Sequence, residues 1–100
     1  MSPTIKTIKK AVVPILRRAG VRKSAVFGSV ARGESGKHSD IDMLIQQPRG
    51  KFSLLDLVGL EMELSEELGK KVDLLTYDGI HHLVKDYILR DAVTIYEKRH

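Results

Sequence analysis

Cysteine is absent from this 100-residue chain, and so are long apolar runs. Without cysteine there is no disulfide, no thiolate zinc site and no cysteine nucleophile, and the composition suits a reducing cytoplasm. No apolar stretch approaches the ~20 residues that a membrane-spanning helix needs, and the first residues do not resemble a signal peptide. We therefore expect a cytoplasmic protein that does not bind a membrane.

Two familiar nucleotide-binding motifs are also missing. A Walker-type loop needs a lysine directly after its second glycine, but Glu34 follows Gly33. No Gly-x-Gly-x-x-Gly sequence is present either. A phosphate site in this chain must therefore use another pattern.

The length and composition indicate one domain. Hydrophobic residues make up 42% of the chain and charged residues 30%, which is typical of a globular protein. A chain of this length buries somewhat more than ~60% of its unfolded surface, which is enough for one modest core. We expect a single domain over residues 1–100.

Positive charge is concentrated near the amino terminus of a chain whose net charge is +4. Residues 1–23 hold no acidic side chain and seven basic ones: Lys6, Lys9, Lys10, Arg17, Arg18, Arg22 and Lys23. These side chains could contact nucleic acid, an acidic partner or only water. Because no aromatic residue lies among them to stack on bases, nucleic acid is the minor hypothesis and we do not expect it as a partner.

Local sequence signals predict two long helices. Apolar residues at three- and four-residue steps indicate an amphipathic helix over residues 4–19 that ends at Gly20. Pro14 conflicts with a regular helix because an interior proline removes a backbone hydrogen bond, so we expect a kink or a helix that begins near Pro14. Ser53 followed by Asp56 resembles a capping box for the second long helix.

The remaining pattern completes an α/β (α+β) fold, in which helices flank a small mixed β-sheet. Strands are predicted at residues 22–28, 39–45, 71–76 and 93–96, a helical turn at 30–33 and a last helix at 80–90. The second long helix has an apolar face of Leu54, Leu57, Val58, Met62, Leu64 and Leu68 and ends at Gly69. Its acidic residues, expected to face solvent, are Glu61, Glu63, Glu66 and Glu67. The last helix is expected to turn inward Leu83, Val84, Tyr87 and Ile88.

The stretch Gly28–Ile45 combines a phosphate-type turn with two carboxylates. The Ser29 hydroxyl and nearby backbone N–H groups could hold phosphate. Residues two apart on a strand share a face, so Asp40 and Asp42 point the same way. Adjacent carboxylates repel each other and indicate a cation between them, and magnesium is the expected one because it prefers oxygen ligands. The alternative is a solvated edge strand whose aspartates bind nothing.

Three other polar residues have open roles. Asp73 is the one charge inside an apolar strand, so it could join the first two aspartates at the metal or pair with a neighbouring lysine or Arg32. Arg32 could steady phosphate charge or pair with Glu34 or Asp40. His38, beside the aspartate pair, could touch substrate or be solvated.

Motif residues at three places form one compound signature: Gly28-Ser29, Gly33 and Ser39-Asp40-x-Asp42. This signature resembles the nucleotide-binding pattern of the DNA polymerase β-like nucleotidyltransferase superfamily. The short chain, the Ala31-Arg32-Gly33 triplet and the order of elements are similar to its smallest branch, the minimal nucleotidyltransferase (MNT) domains paired with HEPN proteins. The family has a third carboxylate on a later strand, where this chain has Asp73.

The resemblance implies a mechanism. The implied catalytic and metal-binding residues are Asp40, Asp42 and Asp73. The implied nucleotide-binding residues are Gly28, Ser29, Arg32 and Gly33. Two magnesium ions would bind ATP at the aspartates, and an acceptor hydroxyl would attack the α-phosphorus in line while pyrophosphate leaves.

The family also implies an acceptor: a tyrosine of a HEPN toxin, a helical ribonuclease, which would make this chain an antitoxin that acts by transferring AMP. Two other functions stay open. As a binding module the chain would block the toxin stoichiometrically, and loss of Asp40 and Asp42 would then leave it active. As an RNA nucleotidyltransferase it would use its basic amino-terminal helix, with strong salt dependence.

Overall fold

The computed structural model describes residues 4–34 and 40–98. The helices are α1 (Ile5–Ala19), α2 (Gly28–Ala31), α3 (Leu54–Leu68) and α4 (His82–Arg90). The strands are β1 (Lys23–Phe27), β2 (Ile41–Gln46), β3 (Val72–Thr76) and β4 (Val93–Glu97). A single 3₁₀ turn, Tyr77–Gly79, lies between β3 and α4. Among the helices of these ranges, none has the length and apolar character needed to cross a membrane.

The strands form one mixed sheet in the order β3-β2-β1-β4. Strand β1 pairs antiparallel with β2 and with β4, whereas β2 and β3 are parallel. Strands β3 and β4 are therefore the edges of the sheet. The predicted mixed sheet flanked by helices, and the predicted order of elements, are confirmed.

Helix α1 begins and ends with the expected capping residues. The Thr4 hydroxyl accepts a hydrogen bond of 3.1 Å from a backbone N–H three residues along, and Gly20 ends the helix with a φ of 81°, a conformation that favours glycine. The helix continues through Pro14, which is exposed. A helix that begins near Pro14 was therefore the wrong alternative, because the cap and buried residues such as Ile8 stabilise the turns before it.

Helix α3 also has the predicted cap. The Ser53 hydroxyl accepts a hydrogen bond from the Asp56 N–H, and the Asp56 carboxylate accepts one of 2.8 Å from the Ser53 N–H. This reciprocal pair satisfies two backbone donors that the first helical turn leaves open. The helix ends at Gly69, which has a left-handed conformation.

The inward faces of α3 and α4 differ from the prediction. In α3, Leu64 is buried together with Leu60, which was not among the predicted residues. The residues predicted for apolar faces that are instead exposed are Leu54, Val58 and Met62 of α3 and Leu83, Val84 and Tyr87 of α4. No residue of α4 is buried. Helical spacing predicts an apolar stripe, but it does not determine which stripe another element covers.

The hydrophobic core lies between the sheet and the two long helices. Its buried residues include Ile8, Val12, Ile15 and Leu16 of α1, Leu60 and Leu64 of α3, and Val26, Ile41, Met43, Ile45, Val72, Leu74 and Ile95 of the strands. Side chains alternate along a strand, so a residue between two core positions faces the other side of the sheet. Asp42 lies between two core residues of β2, and Asp73 lies between two of β3. Both carboxylates therefore lie on the sheet face away from α1 and α3.

Candidate active site

Two of the predicted aspartates are direct neighbours across the sheet. Asp42 of β2 is in register with Asp73 of the parallel strand β3, and on its other side it is in register with Phe27, the last residue of β1. Asp40 lies just before β2 and is exposed. The fold thus brings the three predicted acidic residues together at one end of the sheet.

The electrostatics of Asp42 show that these groups interact. Burial raises the pKa of the Asp42 carboxyl above its ordinary value, and the negative charges of Asp73 and Asp40 raise it further. The nearby Arg32 guanidinium lowers the same pKa, but its effect is smaller than the others. Repulsion among the carboxylates disfavours their ionised forms, and a bound cation would relieve it.

Gly28 brings the backbone of the turn after β1 against the Asp42 side chain. Its φ is 72°, in the left-handed region where a side chain is strained. A Cβ atom at this position would also collide with the Asp42 carboxylate oxygen Oδ2. Glycine is needed here for both reasons, and the turn and the carboxylate form one compact unit.

The predicted helical turn begins two residues earlier than expected. It is the short helix α2, which starts at Gly28 and is followed by Arg32 and Gly33. Ser29 is half-buried in this helix, and its backbone carbonyl accepts a hydrogen bond of 2.8 Å from the Glu34 N–H. Gly33 has a φ of 72° with nothing within 4 Å of a Cβ placed there. Glycine is therefore favoured at this position by the backbone conformation of the turn and not by lack of space.

Arg32 is held by two carboxylates. Its Nε donates to Glu34 Oε2 at 2.9 Å, and its Nη1 donates to Asp91 Oδ2 at 3.2 Å. These two hydrogen bonds raise the pKa of the guanidinium. The pair with Glu34 was one of the predicted alternatives, and no hydrogen bond or ion pair joins Arg32 to Asp40 within the described ranges. Asp91 was not predicted, because it lies 59 residues further along the chain.

Asp73 has a basic neighbour in addition to the acidic ones. Its Oδ1 is 3.8 Å from the Lys71 Nζ, and the two side chains are 42% and 71% exposed. An ion pair this exposed contributes little free energy. It therefore leaves Asp73 free to face Asp42.

The acidic residues fit a hard divalent cation, although they do not form a closed cage. In the described part of the chain, no group of three or more His, Asp or Glu side chains is arranged to hold a metal ion by itself. Mutually repelling carboxylates on one sheet face supply oxygen ligands, and magnesium commonly completes its shell with water and substrate phosphates. Ser39 of the motif and His38 lie outside the described residues.

Comparison with known proteins identifies the class to which this fold and site belong. A family model described as a nucleotidyltransferase domain matches residues 5–95. The chain therefore belongs to the nucleotidyltransferase domain family, and its relatives and structural neighbours place it in the minimal nucleotidyltransferase (MNT) branch.

Two archaeal relatives cover most of the chain. A Methanocaldococcus jannaschii protein, provisionally named a protein adenylyltransferase, is 53% identical over 91 residues, which are 91% of this chain and 97% of that one. The protein adenylyltransferase MntA of Thermococcus cleftensis is 37% identical over 78 residues, which are 78% of each chain. Both matches agree with the identification as an enzyme of the nucleotidyltransferase class.

Solved structures have the same fold. One, described provisionally as a minimal nucleotidyltransferase, is 34% identical with a TM-score of 0.76, and the match covers 91% of this chain and 95% of that one. A toxin–antitoxin structure with AMP-PNP has a TM-score of 0.79 at 17% identity, covering 91% and 74%. A tri-AMPylated Shewanella oneidensis HEPN toxin in complex with its MNT antitoxin gives 0.73 at 14% identity, covering 95% and 74%. The last two matches show likeness of fold.

Proposed function

We propose that this chain transfers AMP from ATP to a tyrosine hydroxyl of a HEPN-type toxin, and that this modification makes it an antitoxin. The observation that carries the proposal is the contact of the Gly28 turn with Asp42, which itself lies in register with Asp73. A phosphate-type turn thereby meets a carboxylate pair. The names of the relatives as protein adenylyltransferases and the AMPylated HEPN toxin bound to an MNT antitoxin support the choice of donor, acceptor and partner. A reaction that consumes ATP suits the cytoplasm.

The turn after β1 would bind the triphosphate. Gly28 allows the backbone to approach closely, and within residues 4–34 and 40–98 no side-chain hydrogen bond involves the Ser29 hydroxyl. A hydroxyl and backbone N–H groups are suitable donors to phosphate oxygens. Arg32 would add positive charge from the end of α2, and Gly33 gives the loop its conformation.

Asp40, Asp42 and Asp73 would hold magnesium, two ions in the full complex. Magnesium bound there would neutralise charge on the triphosphate and on the leaving pyrophosphate. Its ligands would be the aspartate oxygens, phosphate oxygens and water. The raised pKa of Asp42 agrees with a site that needs added positive charge.

The chain's own residues would then position the reactants and move one proton. Asp73 would accept the proton of the acceptor hydroxyl while the oxygen of that hydroxyl bonds to the α-phosphorus. The bond between that phosphorus and the bridging oxygen breaks, and pyrophosphate leaves with the electron pair. Asp73 would later release its proton to water. Catalysis of this kind rests mainly on positioning and charge neutralisation.

The test is the intact mass of a HEPN-domain protein encoded beside this chain, after incubation with the chain, ATP and magnesium. Asp42→Asn keeps nearly the same shape and removes the central carboxylate charge. Asp78→Asn is the matched control, because Asp78 is an exposed residue of the 3₁₀ turn. We expect a gain of one or more AMP groups with the wild-type chain and with Asp78→Asn, and none with Asp42→Asn or with EDTA.

The same experiment separates the alternatives. A fully active Asp42→Asn variant would contradict the metal and catalytic assignment. No mass gain with any variant, together with a tight complex formed by all of them, would favour stoichiometric blocking of the toxin. AMP incorporated into RNA and not into the protein would favour an RNA nucleotidyltransferase.

A further inference from the structure

A basic cleft lies at the end of the sheet opposite to the aspartates. At that end Lys23 of β1 is in register with Gln46 and Glu97, whereas the other end pairs Phe27 with Asp42. The cleft has a volume of about 660 Å³. Its charged lining consists of Arg22, Lys23, Arg49 and Lys98 against a single carboxylate, Glu97.

Three of the four cations form no ion pair within the part of the chain that the structure describes. The Lys23 Nζ lies 4.0 Å from Glu97 Oε2, but Arg22, Arg49 and Lys98 form no ion pair with any residue in the ranges 4–34 and 40–98. The residues outside these ranges include no aspartate or glutamate. Like charges that converge without a partner repel one another, and an anion from solution would relieve that repulsion.

The cations are presented by separate segments that backbone hydrogen bonds hold together. The Arg22 N–H donates to the Gln46 carbonyl at 3.0 Å, and the Lys98 N–H donates to the Arg22 carbonyl at 2.9 Å. The ladder of the sheet thus extends to this end and fixes two of the basic residues beside each other. Binding would order little additional backbone, which favours affinity.

The positive surface continues from this cleft toward α1. The charged lining of a second cleft of about 550 Å³, between α1 and β4, is Lys9, Arg17 and Lys98 with the carboxylate Glu97, so Lys98 and Glu97 belong to both clefts. We call the joined surface the basic track, consisting of Lys9, Arg17, Arg22, Lys23, Arg49 and Lys98. Its extent suits a linear polyanion better than a single small ion.

The first cleft of the basic track lacks the apolar centre expected of a protein interface, and the second cleft adds the apolar side chains Val13, Ile95 and Tyr96 to its basic residues. The exposed large hydrophobic residues of the described ranges lie on α3, on α4, at Leu75 and at Val93, and none of them lines either cleft. Interfaces between proteins have an apolar core that is depleted in charge. Guanidinium groups match the geometry of phosphate oxygens.

We propose that the basic track binds the phosphate backbone of a nucleic-acid strand without reading its sequence. This departs from the expectation drawn from the sequence, because the cations of the cleft come from residues 22–23, 49 and 98, which the sequence does not show to be neighbours. The track lies at the sheet end away from Asp42, so the bound strand is not the acceptor of the proposed AMP transfer. The proposal stands whether or not that function holds.

The test is fluorescence anisotropy of a labelled 20-nucleotide oligouridylate with the full chain, over a range of salt concentrations and with EDTA present. The variant R22Q/R49Q removes two cations of the track. The control K85Q/R90Q removes the same charge from α4, where both residues are exposed. An oligoglutamate of equal charge is the competitor, and circular dichroism checks the fold of each variant.

We expect micromolar binding at low salt that weakens as salt rises, since each neutralised phosphate of a single strand contributes about −0.7 to the logarithmic salt slope. R22Q/R49Q should bind at least about tenfold more weakly and flatten the slope by about 1.4. K85Q/R90Q should stay within about twofold of the wild type. Equal losses in both double variants, competition by oligoglutamate at equal concentration, or no binding by the wild type would each overturn the proposal. Should R22Q/R49Q misfold, the exposed single change Arg49→Gln is expected to weaken binding and flatten the slope by about 0.7.

Discussion

Gly28 and Asp42 depend on each other: the Asp42 carboxylate occupies the space into which a side chain at Gly28 would project. The two residues lie on different elements, since Gly28 begins α2 and Asp42 belongs to β2. Their contact explains why the turn after β1 requires glycine at this point. It also ties the conformation of the turn to the position of the carboxylate.

Gly28→Ala should destabilise the fold and abolish the proposed AMP transfer. A non-glycine residue in the left-handed region costs about 1–2 kcal/mol, and overpacking against Asp42 should add about 1–3 kcal/mol. The control is Gly50→Ala, where φ is 86° and nothing lies within 4 Å of a Cβ. Urea unfolding measures both variants. Equal losses of stability would contradict the contact with Asp42.

Asp42→Asn should stabilise the metal-free protein at neutral pH. The folded-state pKa of Asp42 is raised, first by burial and then by Asp73 and Asp40, so the folded chain holds this proton more tightly than the unfolded chain does. The resulting stability is present below the unfolded pKa of about 3.9 and is lost as the pH rises through the folded pKa. At pH 7 the ionised Asp42 carboxylate therefore destabilises the folded chain, and replacing it with asparagine removes this effect.

The expected gain is less than about 1 kcal/mol, because water screens a group that is only partly buried. Thermal unfolding in EDTA at pH 7 and at pH 4 measures it, and the gain should shrink at pH 4, where Asp42 in the wild type is increasingly protonated. Asp78→Asn removes an exposed carboxylate and should change little. A gain that persists unchanged at pH 4 would rule out the linkage to Asp42.

The sequence predicted what local rules and spacing determine. Gly20, Ser53 and Asp56 were identified as capping residues because a capping residue interacts with backbone groups no more than one helical turn away in the sequence. Asp40 and Asp42 were identified because they are two residues apart in a predicted strand, which is also a local pattern. The order of helices and strands followed from the same kind of signal.

The remainder depends on residues that are distant along the chain. Nothing near Arg32 indicates that it pairs with Asp91. Glu61 was expected to face solvent, but its carboxylate accepts a hydrogen bond from the Leu74 N–H of β3, and nothing near Glu61 in the sequence indicates this contact. The apolar residues of α3 lie nearly all around the helix, so periodicity did not reveal that Leu60 is buried and Met62 is exposed. These features are determined by how the elements pack.

If Arg32 binds the nucleotide as proposed, Asp91→Asn should weaken ATP binding, because the Asp91 carboxylate accepts a hydrogen bond from the guanidinium at the end of α2. We expect the KM for ATP to rise by about fivefold or less, because the ion pair is partly exposed and screened, with kcat changed less. Arg32→Gln should raise the KM more, because it removes the guanidinium itself.

Asp91→Glu should restore part of the KM, since it returns the carboxylate. Asp86→Asn, an exposed carboxylate on α4, serves as the control and should leave the KM unchanged. An unchanged KM for Asp91→Asn would show that Asp91 does not position Arg32 for the nucleotide.

Glu61→Ala should destabilise the protein by about 1–2 kcal/mol, because it leaves a buried backbone donor on the edge strand without its charged acceptor. Glu61 Oε2 accepts a hydrogen bond of 2.8 Å from the Leu74 N–H of β3, and α3 thereby covers the open edge of the sheet. Glu67→Ala is the matched control, since it makes the same change on an exposed position of the same helix. Urea unfolding should show the larger loss only for Glu61→Ala, and hydrogen exchange of the Leu74 amide should quicken in that variant alone. If both variants lost equal stability, the loss would come from the charge removed from α3 and not from the exposure of this edge. An uncovered edge strand can pair with strands of other chains.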